Sequence, residues 1–271
     1  MISGKCVRLA LAAFMTISAF GQVGFKQDER MMVQKFKASN ARLEEGRELF
    51  VKGKLDKAEK KLKECLETFP KNADAQFIMA QIQIKKNEFD AALASIESAE
   101  KDFLEIAQLY AYTHQEMMND LRTQKDQIQE SLRVQEEVLA GLKAKPAVDM
   151  SQAAAISSAE GSIQQNKNLI SKIDMQLQNP IPQTMEIPAG YRYIHGNVLF
   201  KRKDLQGAVN QYLETIRLEP AHEFAYNNLA SIYFMAKQYE KALEYLRRAE
   251  ANGVKINPAF KKDLEDRVGV H

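Results

Sequence analysis

Small residues recur along this chain with a period of 34 residues. The segment beginning at Ser39 aligns with the one beginning at Ala73, and the segment beginning at Ala189 aligns with the one beginning at Glu223. Their eighth and twentieth places hold only glycine or alanine: Gly46, Ala58, Ala80, Ala92, Gly196, Ala208, Ala230 and Ala242. Small side chains let two helices approach closely, so this periodicity predicts four two-helix units.

Other places in the four units fit the same interpretation. Pro70 and Pro220 close the first unit of each pair, where proline ends a helix. The twenty-fourth place holds a large residue that fills the gap to the next helix: Leu62, Ile96, Tyr212 and Leu246. Polar stretches predict the turn inside each unit: 51–54, 85–88, 201–204 and 236–238.

Together these features resemble the tetratricopeptide repeat family over roughly 39–103 and 189–256. The resemblance implies an all-α fold, a helical-hairpin repeat solenoid of about four repeats in two pairs. It also implies that the eight glycine and alanine residues above are the repeat-packing positions. At the eleventh place, usually tyrosine, the first three units depart from the family with Leu49, Gln83 and Leu199, whereas the last unit has Tyr233.

The segment between the two pairs has a different periodicity. One long helix is predicted over 103–144 and a second from about Ser151 to Gln178, joined by a short linker with Pro146. Apolar residues recur at spacings of three, four or seven: Leu121, Ile128, Leu132, Leu139 and Leu142, then Ile156, Ile163, Ile170, Ile173 and Leu177. This pattern predicts an inserted antiparallel coiled-coil hairpin, the alternative being a packed helix pair lying against the repeats.

The two ends of the chain predict a leader and a cap. Lys5 and Arg8 precede an uncharged apolar run, and Ala19 and Gly21 follow at signal-peptide spacing. We therefore expect cleavage after Gly21 and export to the periplasm or medium, the alternative being an N-terminal anchor helix. The predicted segments are 1–21 signal peptide, 22–38 N-terminal segment, 39–103 repeats 1–2, 104–182 insertion, 183–256 repeats 3–4 and 257–271 capping helix and tail.

Charge and candidate chemistry argue for a binding protein rather than an enzyme. The chain has 38 basic and 36 acidic residues, and the leader carries two of the basic ones, so the mature chain is neutral. A neutral chain gives no support for nucleic-acid binding. The histidines have no metal-ligand spacing, and no phosphate-binding loop or nucleophile motif occurs. We expect no cofactor, no metal, no catalysis and no membrane span after leader removal, with Cys65 a buried apolar residue.

The resemblance also implies where a partner would bind. In tetratricopeptide proteins the first helices of successive units line a groove. The corresponding residues of the second pair are Tyr193, Asn197, Phe200, Lys201, Phe224, Asn227, Ser231 and Phe234. Aromatic side chains offer apolar area and amides can bind a peptide backbone. For each aromatic residue, packing in the core is an equal alternative.

These features predict an exported module that binds a peptide or protein through the groove, the hairpin or both. The alternative is a structural subunit of a cell-envelope complex, in which residues 121–178 pair copies of the chain or space partners. A lesser third class is an accessory that presents substrates to an enzyme.

Overall fold

The computed structural model describes residues 27–144, 150–178 and 186–269. Within these ranges all regular secondary structure is helical, which confirms the predicted all-α repeat fold. The helices are α1 Gln27–Val51, α2 Leu55–Thr68, α3 Ala73–Lys85, α4 Phe89–Ala144, α5 Met150–Leu177, α6 Ala189–Lys201, α7 Leu205–Leu218, α8 Glu223–Met235, α9 Tyr239–Ala251 and α10 Pro258–Val268. The predicted signal peptide and the last residues of the predicted insertion, 179–182, lie outside the described residues.

The described chain divides into two compact units. The repeat unit contains the residues up to Ala107 and those from Glu186 onward, and the hairpin unit contains residues 108–144 and 150–178. Helix α4 is continuous over 56 residues, so the second helix of repeat 2 and the first helix of the insertion are one element. The predicted boundary at 103–104 therefore falls inside a helix. The predicted N-terminal segment is also partly helical, because α1 begins at Gln27.

Each repeat turns at its fifteenth residue, which has left-handed backbone geometry. The φ angles are +72° at Gly53, +62° at Asn87, +67° at Lys203 and +58° at Lys237. At each turn two backbone N–H groups donate hydrogen bonds to carbonyl groups in the last turn of the preceding helix. In repeat 3, for example, the Lys203 nitrogen donates to the Phe200 carbonyl at 3.0 Å. This arrangement caps the carbonyls of the first helix and reverses the chain within three residues.

The small residues lie where the two helices of each repeat meet. The six alanines are fully buried: Ala58, Ala80, Ala92, Ala208, Ala230 and Ala242. A Cβ at Gly46 would lie 2.8 Å from the Leu62 side chain, and a Cβ at Gly196 would lie 2.6 Å from the Tyr212 ring. The recurring glycine and alanine thus permit helix contacts that larger side chains would separate.

The repeat stack continues directly from repeat 2 to repeat 3, although 85 residues separate Phe103 from Ala189 in sequence. The Tyr191 ring of α6 stacks on Phe77 of α3 at 4.4 Å, and its hydroxyl donates to Asp74 Oδ1 at 3.0 Å. Nearby, Glu100 of α4 accepts from Arg192 at 3.1 Å. Residues of repeat 2 and of repeat 3 therefore lie in one buried cluster, so the two pairs of repeats pack against each other.

The hairpin unit consists of residues 108–144 of α4 and the whole of α5, which run antiparallel. Ion pairs join Lys125 to Asp174 at 2.6 Å, Glu136 to Lys167 at 2.9 Å and Lys143 to Glu160 at 2.6 Å. The Asn166 amide donates to Gln135 at 3.1 Å between them. All ten apolar residues of the predicted seam are buried or half-buried.

Helix α10 closes the last repeat. Asn257 caps its first turn by accepting hydrogen bonds from the backbone nitrogens of Ala259 and Phe260. Leu264 is fully buried in a cluster with Ala242, Leu243 and Leu246. A final helix of this kind covers the apolar face that the last repeat of a solenoid would otherwise expose.

Candidate functional site

The first helices of repeats 3 and 4, α6 and α8, meet through an aromatic cluster. The Tyr193 ring lies 4.7 Å from the His222 ring and 6.3 Å from Phe224, between ring centroids. Phe224 is 57% exposed, which is high for a phenylalanine, whereas Tyr193 is half-buried. The cluster thus has one face supported by the repeat core and one face open to solvent.

Amide groups beside this cluster are held in fixed orientations. Asn197 Oδ1 accepts from the Tyr212 hydroxyl at 2.8 Å and from Asn228 Nδ2 at 3.1 Å. Burial raises the pKa of Tyr212, so its hydroxyl stays protonated and remains a donor. Because both bonds use the oxygen, the NH2 group of Asn197 keeps its two donors for another acceptor.

The remaining predicted polar residues of α8 line a cavity next to α10. Asn227 and Ser231 share this cavity of about 500 Å³ with Glu223, Lys255 and Phe260. Ser231 Oγ donates to the Asn227 carbonyl at 2.7 Å, which fixes the hydroxyl on the helix. Asn227 is half-buried and Ser231 is exposed. The cavity therefore extends the open face from the aromatic cluster toward the end of the repeat stack.

The other predicted groove residues lie in different environments. Phe200 is half-buried against the core cluster that includes Tyr212 and Leu229. Phe234 packs edge-on against Tyr239 and Phe260, each at 5.5 Å between ring centroids. Lys201 is exposed at the end of α6. For Phe200 and Phe234 the structure thus favours the core-packing alternative.

His222 belongs to the site but was not among the predicted groove residues. It is 3% exposed and caps α8, because its Nδ1 accepts from the Ala225 backbone nitrogen at 3.2 Å. Its Nε2 is buried without a hydrogen-bond partner among the described residues. Burial lowers the pKa of His222, with Glu219 opposing the shift. The position of His222 in the repeat could have identified this role, because Asn72 holds the equivalent position before α3 and caps that helix.

Groups with potential chemistry elsewhere have structural surroundings. His195 is buried in the repeat unit, where its Nδ1 lies 3.2 Å from Glu100 Oε1. Cys65 is buried, and burial raises the pKa of its thiol. In the ranges the structure covers, no three His, Cys, Asp or Glu side chains come together as a metal site would require. Across the same ranges, no helix combines the length and apolarity needed to cross a membrane.

Comparison with known proteins supports the repeat assignment. A family model described as tetratricopeptide repeat matches residues 49–117, and a second model with the same description matches residues 193–254. The chain therefore contains tetratricopeptide repeats on both sides of the hairpin unit, as its periodicity predicted. Repeats of this kind mediate protein–protein or peptide interactions through extended surfaces.

Individual relatives are distant. Over 66 residues the chain is 30% identical to stress-induced-phosphoprotein 1 of Caenorhabditis elegans. The matched segment is 24% of this chain and 21% of that protein. Pseudomonas aeruginosa pilF is 15% identical with a TM-score of 0.36, covering 88% of this chain and 87% of that one. PilW, described as a type IV pilus biogenesis factor, is 15% identical with a TM-score of 0.38, covering 86% and 87%.

Proposed function

We propose that this protein is a non-enzymatic interaction module that binds an extended peptide segment along α6 and α8. The observation that carries the proposal is the half-open aromatic pair of Tyr193 and Phe224 beside the fixed amide of Asn197. Phe224 offers apolar area that is already desolvated on its inner side, and the Asn197 NH2 group offers donors for a backbone carbonyl. We also propose that the module works outside the cytoplasm after cleavage at Gly21, on the strength of the leader pattern.

The orientation of the site favours a chain in extended conformation. Phe224 of the aromatic pair lies on α8 together with Asn227 and Ser231, which follow it by about one and two helical turns. An extended peptide could place an apolar side chain on the aromatic pair and polar backbone groups over the amides. The two charged residues that line the cavity, Glu223 and Lys255, have opposite signs, so we propose a partner segment that is apolar and polar rather than strongly charged.

The test is selection of binders from a library of random-sequence peptides, followed by measurement of their affinity for the purified protein. Changing Tyr193→Ser together with Phe224→Ser removes the aromatic surface, and we expect at least a roughly tenfold loss of affinity, as for a truncated interface anchor. Tyr112→Ser is the matched control, because Tyr112 is an exposed aromatic residue on α4 outside this site. Peptide capture that survives the double change but disappears on deletion of 121–178 would overturn the groove proposal.

A second candidate function is supported by the hairpin unit. Three ion pairs and the Asn166–Gln135 contact join its antiparallel helices along their length. A helix pair stabilised in this way could join copies of the chain or space its partners, and this is our alternative proposal of an assembly subunit. Sedimentation of the purified protein distinguishes it from a module that works only as a monomer.

A further inference from the structure

The two flanks of the hairpin unit differ in charge. One flank carries every ion pair described between its two helices, with Glu160, Lys167 and Asp174 spaced seven residues apart on α5. The opposite flank follows the same spacing of seven with uncharged residues: Gln124, Ser131 and Val138 on α4, and Ala155, Ser162 and Leu169 on α5. We call this second set the neutral flank.

Apolar side chains on the neutral flank are open to solvent. Val138 is 56% exposed and Leu169 is 45% exposed, and Val134, one turn from Val138, is 46% exposed. In a two-stranded coiled coil the positions beside the seam usually carry charges that pair across the helices. An apolar stripe that widens beyond the seam on one side is instead the pattern of helices in a larger bundle.

We propose that the neutral flank joins two copies of this chain into a four-helix bundle. The proposal rests on the alternative function above, in which residues 121–178 pair copies of the chain. The neutral flank is the surface that pairs the copies, and peptide binding by α6 and α8 does not depend on this pairing.

The chemistry of the neutral flank favours a second copy as its occupant. Two neutral flanks placed face to face bury no charged side chain, so no desolvation cost of a charge opposes the contact. The ion-paired flanks of both copies remain in water. A partner with charged flanking residues would instead leave those charges unpaired against this surface.

The register of the hairpin also makes the neutral flank complementary to itself. The pairs Lys143–Glu160 and Glu136–Lys167 place Val138 about level with Ser162, and Ser131 about level with Leu169. Two copies related by an axis parallel to their helices would set each α4 against the partner's α5. The large Val138 and Leu169 would then face the small Ser162 and Ser131, and alternation of large and small residues is how bundle layers interdigitate.

The test is sedimentation velocity of the full purified chain over a range of concentrations. We expect a dimer that Val138→Glu or Leu169→Glu converts to monomer, with the dissociation constant raised roughly a hundredfold or more because each change buries unpaired charges. Ala140→Glu and Gln164→Glu are matched controls on the ion-paired flank and should leave the dimer intact. Circular dichroism confirms equal helix content in all variants.

Three results would overturn this proposal: a wild-type chain that stays monomeric, a dimer indifferent to both flank variants, or a dimer that the controls weaken equally. A photoreactive residue at Gln165, beside the neutral flank, gives a second measurement. We expect cross-links to residues 121–178 of another copy, and cross-links confined to α6 and α8 would contradict the bundle. Peptide binding by the Val138→Glu monomer separates failure of this proposal from failure of the groove.

Discussion

At the scale of single residues, the close packing of the two helices in a repeat depends on glycine, which has no side chain. Gly196 faces the ring of Tyr212, which is fully buried and fixed by its hydrogen bond to Asn197. We expect Gly196→Ala to lower the free energy of unfolding by about 1–2 kcal/mol, because overpacking a rigid core outweighs the gain in helix propensity. Thermal unfolding followed by circular dichroism measures the change.

Gly161 provides the matched control for Gly196. It also lies inside a helix, α5, but a Cβ added there would have no neighbouring atom within 4 Å. Gly161→Ala should therefore stabilise its helix by about 1 kcal/mol through propensity alone. If both substitutions had the same sign, the close approach at Tyr212 could not be the reason for glycine at position 196.

At the scale of elements, helix α8 begins at a titratable cap. Protonation of His222 would turn Nδ1 from an acceptor into a donor and place a cation at a helix N-terminus, which the helix dipole disfavours. Because burial lowers the pKa of His222 in the folded state below its unfolded value of about 6.5, its contribution to stability is present above that pH and lost as the pH falls.

We expect His222→Asn to reduce the loss of melting temperature between about pH 7.5 and about pH 5.5, since asparagine caps a helix without titrating. Asn72 already does so at the equivalent place in repeat 2. Part of the pH dependence should remain, because burial also lowers the pKa of His114. An unchanged pH profile in the variant would show that the cap of α8 does not titrate in this range.

The elements also mark the limit of what periodicity can predict. The turns at residues 53, 87, 203 and 237 could be placed because polar residues recur there, but lysine at two of them gave no sign of left-handed geometry. The continuity of α4 was missed because no proline or glycine marks the end of repeat 2, and helical periodicity simply continues. The groove positions came from register, whereas the burial of Phe234 depends on α10, a contact that register does not encode.

At the scale of the whole molecule, stacking of repeat 3 on repeat 2 was beyond the sequence pattern. The insertion separates Asp74 from Tyr191 by 117 positions, and nothing local indicates that the two meet. In the structure Tyr191 is 4% exposed and stacks on Phe77, and its ring centroid lies 5.9 Å from that of Phe103. Asp74 also accepts from Arg47 at 3.3 Å, so this contact links three successive repeats.

We expect Tyr191→Ala to uncouple the two pairs of repeats. In a repeat array the interface between neighbours supplies much of the stability, and losing a buried aromatic side chain costs about 3–5 kcal/mol. Hydrogen exchange in increasing urea should give a single transition for α3 and α8 in the wild type and two separate transitions in the variant. Tyr191→Phe is the graded control: it keeps the ring stacked on Phe77 and removes only the bond to Asp74, so its effect should be smaller and leave one transition. Two transitions in the wild type would mean that the pairs fold independently, and the insertion would then separate two domains rather than interrupt one.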